Sequence, residues 1–108
     1  KIILFNNSCH GMVRQFQESY FRDNLQSTVF GYSAPSFSKI ARAYGLKSLK
    51  LKNKDLEKEA IDWLLISNGP SLLEVEISKS TKVYPKLAFG RKFGEMEPDV
   101  DPISMEST

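Results

Sequence analysis

Apolar positions along the chain fall into short patterned stretches separated by turn formers, and the period of each stretch predicts its element. Ile2-Ile3-Leu4-Phe5 is a continuous, β-rich run halted by Asn6-Asn7-Ser8, which predicts a strand buried on both faces of a parallel sheet. After Gly11, the positions Met12, Val13, Phe16, Tyr20 and Phe21 make a broad apolar face and predict a short helix over 12–21. Residues 22–32 are polar and turn-rich, a loop that carries Val29, Phe30 and Tyr32. A second helix is marked by Ser33 as its cap, Pro35 near its first turn and a buried face of Phe37, Ile40, Ala41 and Tyr44, with Gly45 to end it.

Residues 47–52 then alternate, Leu49 and Leu51 against Lys50 and Lys52, the period of a half-exposed strand. Asn53 caps a third helix over 54–67, whose stripe is Leu56, Ala60, Trp63, Leu64 and Ser67, with Trp63 read as core. Asn68-Gly69-Pro70 stops it, and Leu73, Val75 and Ile77 alternate with Glu74 and Glu76 in a last strand. This order predicts an α/β fold of three layers around a small parallel sheet (β-α-α-β-α-β). Residues 1–78 would form the sheet-bearing unit and 79–108 an irregular C-terminal arm that frays after Asp101. Ligands of open parallel sheets bind beyond the carboxyl ends of the strands. That points to the turn from Asn6 to Gly11, and to the regions of Gly69 and Lys79 if they share that end.

Composition narrows the class. The 108 residues, 41% hydrophobic and 26% charged, fit one ordinary domain, and no apolar run approaches the ~20 residues that span a bilayer, so no membrane partner is expected. A single cysteine excludes an intrachain disulfide framework, and Lys1 leads into too few apolar residues for a signal peptide. The expected setting is reducing and cytoplasmic. Because Lys1 opens directly into a strand, the expectation is of a piece of a longer protein. The net charge of +2 hides a basic first half and an acidic end, but the cations are scattered and read as solvated surface, with no nucleic-acid partner.

Asn6-Asn7-Ser8-Cys9-His10-Gly11-Met12 lies between a strand and a helix N-terminus, where free N–H groups and the helix dipole favour an anion such as a diphosphate. Amide and backbone carbonyl oxygens also suit Mg²⁺, although a carboxylate is normally expected beside a neutral ligand. Taken alone, the segment reads first as a plain turn. One Cys and one His cannot supply the four ligands of a zinc site, and as sequence neighbours their side chains diverge, so neither a metal pair nor a nucleophilic pair is read there. Glu18, Asp23, Glu74 and Glu76 are read as solvated carboxylates. Met12 and Phe16, four apart, serve either as core or as a cofactor-facing pair.

Taken in order, IILFNNSCHGMVRQFQ, PSFSKIARAYGLKSLKL, NGPSLLEVEI and KVYPKLAFG resemble the C-terminal, diphosphate-binding domain of thiamine diphosphate-dependent enzymes, most closely the acetolactate synthase-like group, from Lys1 to about Pro98. The resemblance implies that Asn7 binds Mg²⁺ through its side-chain oxygen and Cys9 through its backbone carbonyl. It makes Asn6 a brace for the turn, lets the backbone close over the diphosphate at Gly11, and puts Met12 on the cofactor and substrate side. Phe16 falls where acetolactate synthases carry Trp at the substrate entrance. Lys86 to Gly90 corresponds to the arm near the active-site mouth.

The anionic half of that motif, a Gly-Asp-Gly one βα unit earlier, is not in this sequence. The activating glutamate belongs to another domain, normally from a second subunit, so no catalytic residue is expected here and the 108 residues alone are expected to be inactive. The reaction implied is decarboxylation of pyruvate or a similar 2-oxo acid and ligation of the product to a second carbonyl, with the cofactor carrying the chemistry. A simple 2-oxo acid decarboxylase within the family, and a non-enzymatic α/β interaction domain outside it, are the alternatives.

Overall fold

The computed structural model describes residues 1–87, 89–92 and 94–97. Its element order is β1 (Ile2–Asn6), α1 (Gly11–Tyr20), α2 (Phe37–Ala43), β2 (Lys47–Leu51), a 3-10 turn (Lys54–Leu56), α3 (Glu57–Ile66) and β3 (Ser71–Glu76). A short antiparallel pair follows, β4 (Lys86–Leu87) with β5 (Met96–Glu97). β1, β3 and β2 form one parallel sheet in that spatial order, so the last strand of the three lies in the middle. The predicted α/β class and the three parallel strands are as read from the pattern. The expected fraying after Asp101 falls outside the described residues.

The core follows from the central position of β3. Leu73 pairs in register with Leu49 of β2 and Ile3 of β1, and α3 lays Ala60 and Leu64 over this face, giving a cluster of Leu51, Ala60, Leu64 and Leu73. Leu49, Trp63 and Val75 pack against it. α2 lies against β2 and β3 beside the other face, with Ala41 buried. Ile40, Tyr44 and Leu56, expected on buried stripes, are exposed; Tyr44 lies past the last turn of α2 and Leu56 in the 3-10 turn ahead of α3.

Two expectations are corrected. β1 is a parallel strand but not one buried on both faces: Ile2, Ile3 and Phe5 are 47%, 51% and 67% exposed. It hydrogen-bonds to β3 alone and stands at the sheet edge, so Ile2, Ile3 and Phe5 are left uncovered while Leu4 is half-buried. The cap of α2 is Ser36, not Ser33, its hydroxyl accepting from the Lys39 amide at 3.4 Å. Pro35 therefore sits before the helix instead of occupying the first turn.

Gly45, at φ +76°, ends α2 as anticipated; Asn53 accepts from the Asp55 amide as a cap should, but what it opens is the 3-10 turn, and the helix expected over 54–67 is α-helical only from Glu57 to Ile66. The radius of gyration, 17.4 Å, exceeds the about 13 Å of a compact chain of this length. Among the described residues no helix is long and apolar enough to cross a membrane.

Candidate functional site

The carboxyl end of β1 runs into two successive side-chain-closed turns. The Asn6 Oδ1 accepts from the Ser8 amide at 2.9 Å and the Asn7 Oδ1 from the Cys9 amide at 3.3 Å, with Ser8 left-handed at φ +51°. Asn side chains do this because their carbonyl mimics a backbone acceptor two residues on. Cys9 is buried, its Sγ 3.8 Å from the Lys79 carbonyl, so the thiol is packed between the turn and the segment after β3. His10 donates its amide to the Thr28 carbonyl at 3.1 Å, and its ring meets Tyr32 edge-on.

α1 starts at Gly11 with no side-chain cap and no acidic residue in its first turn. Its first N–H groups therefore lack the anionic or side-chain acceptor that helix starts normally carry. Gly11 serves the present place of the Asn7 side chain and not an unusual φ: a Cβ there would fall inside contact distance of the Asn7 amide nitrogen and push that side chain aside. The Asn7 side chain thus lies in the space that the glycine leaves at the head of the helix. Asn6, Asn7, Cys9 and Gly11 are brought together in this turn. Lys79 is at the same end, whereas the Gly69 carbonyl accepts from the Lys1 ammonium group, at the opposite, amino end of the sheet.

The carboxylates are not all solvated. Glu74 is 3% exposed, because it sits on the central strand. Its Oε1 accepts from the Asn6 Nδ2 at 2.7 Å and lies 3.2 Å from the Lys50 Nζ, which also reaches Glu76 at 2.9 Å. The hydrogen bonds to Glu76 and then Glu74 hold the Lys50 ammonium group above its ordinary pKa, and the bond to Lys50 holds the Glu76 carboxyl below its own. Glu18 pairs with Arg14 and, at 3.7 Å, with Lys82. Asp23 is exposed as expected. No group of three or more His, Cys, Asp or Glu among the described residues could hold a metal by itself.

Met12 is 71% exposed, and Phe16 is the centre of an aromatic group with Tyr20, Phe21 and Phe89. Met12, Phe16, Leu87 and Phe89 border a groove of about 400 Å³ between α1 and the segment after β3. That segment is tied to α1 by two side chains missed in the sequence, Arg14 and Gln15, each 4% exposed. Arg14 donates to the Thr81 carbonyl at 3.0 Å, and the Gln15 amide both donates to and accepts from the Val83 backbone. Replacing Gln15 by Leu removes both bonds at a cost of about 1–3 kcal/mol. The expected readout is faster amide exchange at Val83, and unchanged protection there would show that the tie does not hold the segment.

The alternation of Glu74 with Leu73 and Val75 carries no sign of its burial, which comes from the place of β3 between β1 and β2. Arg14 and Gln15 carry no local signal, since their partners are backbone groups nearly 70 residues away.

Residues 1–75 match the family described as the thiamine pyrophosphate enzyme, C-terminal TPP binding domain. The chain is 38% identical over 96 residues to an acetolactate synthase large subunit from Lactococcus lactis subsp. lactis, covering 89% of this chain and 16% of that protein. It is 35% identical over 96 residues to the acetolactate synthase isozyme 2 large subunit of Escherichia coli, covering 89% and 17%. The large subunit from Pyropia yezoensis is 31% identical over the same length, covering 89% and 16%. The chain thus spans about a sixth of the length of these relatives. With a parallel sheet whose first strand ends in the Asn6–Gly11 turn, this chain belongs to the C-terminal TPP-binding domain family of thiamine pyrophosphate enzymes.

Proposed function

We propose that this chain is the cofactor-anchoring C-terminal part of an acetolactate synthase-like enzyme that decarboxylates pyruvate or a similar 2-oxo acid and joins the product to a second carbonyl. The observation that supports this best is the uncapped, acid-free start of α1 behind a turn in which the Asn7 amide occupies the room left by Gly11. Diphosphate oxygens suit those unpaired N–H groups, and Mg²⁺ suits the neutral oxygens of Asn7 and the Cys9 carbonyl. The bound thiamine diphosphate would supply the carbanion chemistry of the reaction. This chain's residues would anchor and orient it: Asn6 braces the turn, Asn7 and Cys9 hold the metal, and Met12 and Phe16 line the approach for substrate.

Glu74 is engaged by Asn6 and Lys50, so the reading takes the anionic metal ligand and the activating glutamate from outside these 108 residues. The glutamate would come from a second subunit, and the assembled enzyme would work in the cytoplasm. The 108 residues alone would then be catalytically silent. The test is turnover of pyruvate by the full-length protein that carries this chain. Acetolactate formed only with thiamine diphosphate and Mg²⁺ is the expected product; acetaldehyde instead would make it a simple decarboxylase, and no cofactor-dependent turnover of any 2-oxo acid would refute the proposal.

A further inference from the structure

The three strands of the sheet end on one continuous polar line. Lys50 on β2 reaches Glu74 on β3, Glu74 accepts from the amide of Asn6 on β1, and the other end of that amide accepts from the Ser8 backbone. Asn6 therefore uses both ends of its side chain, one on the central strand and one on the left-handed residue that turns the chain toward Cys9 and Gly11. A buried carboxylate is costly unless paired and hydrogen-bonded, and Glu74 has both kinds of partner. An apolar residue would pack a central strand without that cost, as Leu72 and Leu73 do beside it. What the carboxylate adds is a fixed acceptor for Asn6 at 2.7 Å.

We infer that Glu74 is a positioning residue for the Asn6–Asn7 turn: it fixes the Asn6 amide and thereby the place of the Asn7 oxygen and of the Cys9 carbonyl. This rests on the proposed cofactor role of the turn. Lys50 acts one step behind, its ammonium group 3.2 Å from the Glu74 oxygen that meets Asn6, and its second bond to Glu76 keeps it in place when Glu74 changes. Partners that orient metal ligands from behind typically govern affinity by about 10–100-fold. The contact, and not the charge, is what the turn requires.

Two conservative variants of the full-length protein separate these properties. Glu74→Gln keeps an acceptor oxygen at the same reach and drops the charge; Glu74→Asp keeps the charge and withdraws the acceptor by one methylene. Calorimetric titration with thiamine diphosphate, with and without Mg²⁺, reads the result directly. The expected order is wild type and Glu74→Gln alike, with Glu74→Asp weaker in its Mg²⁺-dependent binding by about tenfold or more. In turnover assays Glu74→Asp is expected to need about tenfold or more cofactor for half-maximal rate and to regain its kcat at saturating cofactor, since the loss is in affinity; a lowered kcat with unchanged cofactor requirement would count against the inference. Equal binding by all three, or weak binding by Glu74→Gln with normal binding by Glu74→Asp, would overturn the inference while leaving the function intact. A wild-type protein that binds no thiamine diphosphate would overturn both, so the two failures are told apart by the wild-type titration.

Discussion

Gly11→Ala is expected to weaken Mg²⁺-dependent binding of thiamine diphosphate by the full-length protein by about 10–100-fold while leaving its stability unchanged or slightly higher. The two halves of this result have separate causes. Gly11 is the first residue of α1 and has an ordinary helical start, so alanine there improves helix propensity by up to about 1 kcal/mol. The added Cβ, however, takes the place of the Asn7 amide nitrogen, and the cheapest relief is rotation of that side chain out of its turn. A backbone clash would damage folding; a clash with a side-chain end damages only what that end does. Isothermal calorimetry and urea unfolding of the same preparation check both halves. Wild-type affinity in a folded Gly11→Ala protein would remove Asn7 from the site.

Leu73→Ala is expected to be the most destabilising single truncation in the chain, by about 2–5 kcal/mol. Leu73 is 1% exposed at the middle of the central strand, where α3 and both neighbouring strands meet it. With a net stability of about 5–15 kcal/mol typical of whole domains, such a loss removes much of what a thin core supplies. Ile3→Ala is the internal control. Ile3 is the in-register neighbour of Leu73 on the same face, yet it is 51% exposed at the sheet edge, so its truncation in the 108-residue chain is expected to cost under about 1 kcal/mol. Urea midpoints of the two variants check the difference. Equal losses would mean that the β1 edge is covered in solution.

The sheet was legible because alternation and turn formers act locally. Lys47 to Leu51 announces itself by period, as does the second half of β3, where Leu73 and Val75 alternate with Glu74 and Glu76. β3 itself begins two residues earlier, at Ser71, and ends before Ile77. Gly45 and Asn53 announce themselves by the backbone geometry they permit. Strand order was not legible, and two misreadings follow from it. Ile2 to Phe5 has the composition of a strand buried on both faces, but it stands at an edge; Glu74 has the alternation of a solvated residue, but it stands in the centre. Composition reports what a strand could bury, whereas exposure depends on which neighbours arrive. The turn from Asn6 to Gly11 was legible as a candidate because it joins a strand to a helix. Its clamp to Glu74 was not, since that contact spans 68 positions and exists only once β3 inserts beside β1.

The most direct measurement of the proposed role is a crystal structure of the full-length protein grown with thiamine diphosphate and Mg²⁺. The expected map has the metal bound by the side-chain oxygen of Asn7 and the backbone carbonyl of Cys9, with the diphosphate at the start of α1 beside Gly11. A metal and diphosphate bound with no contact to residues 6–12 would contradict it.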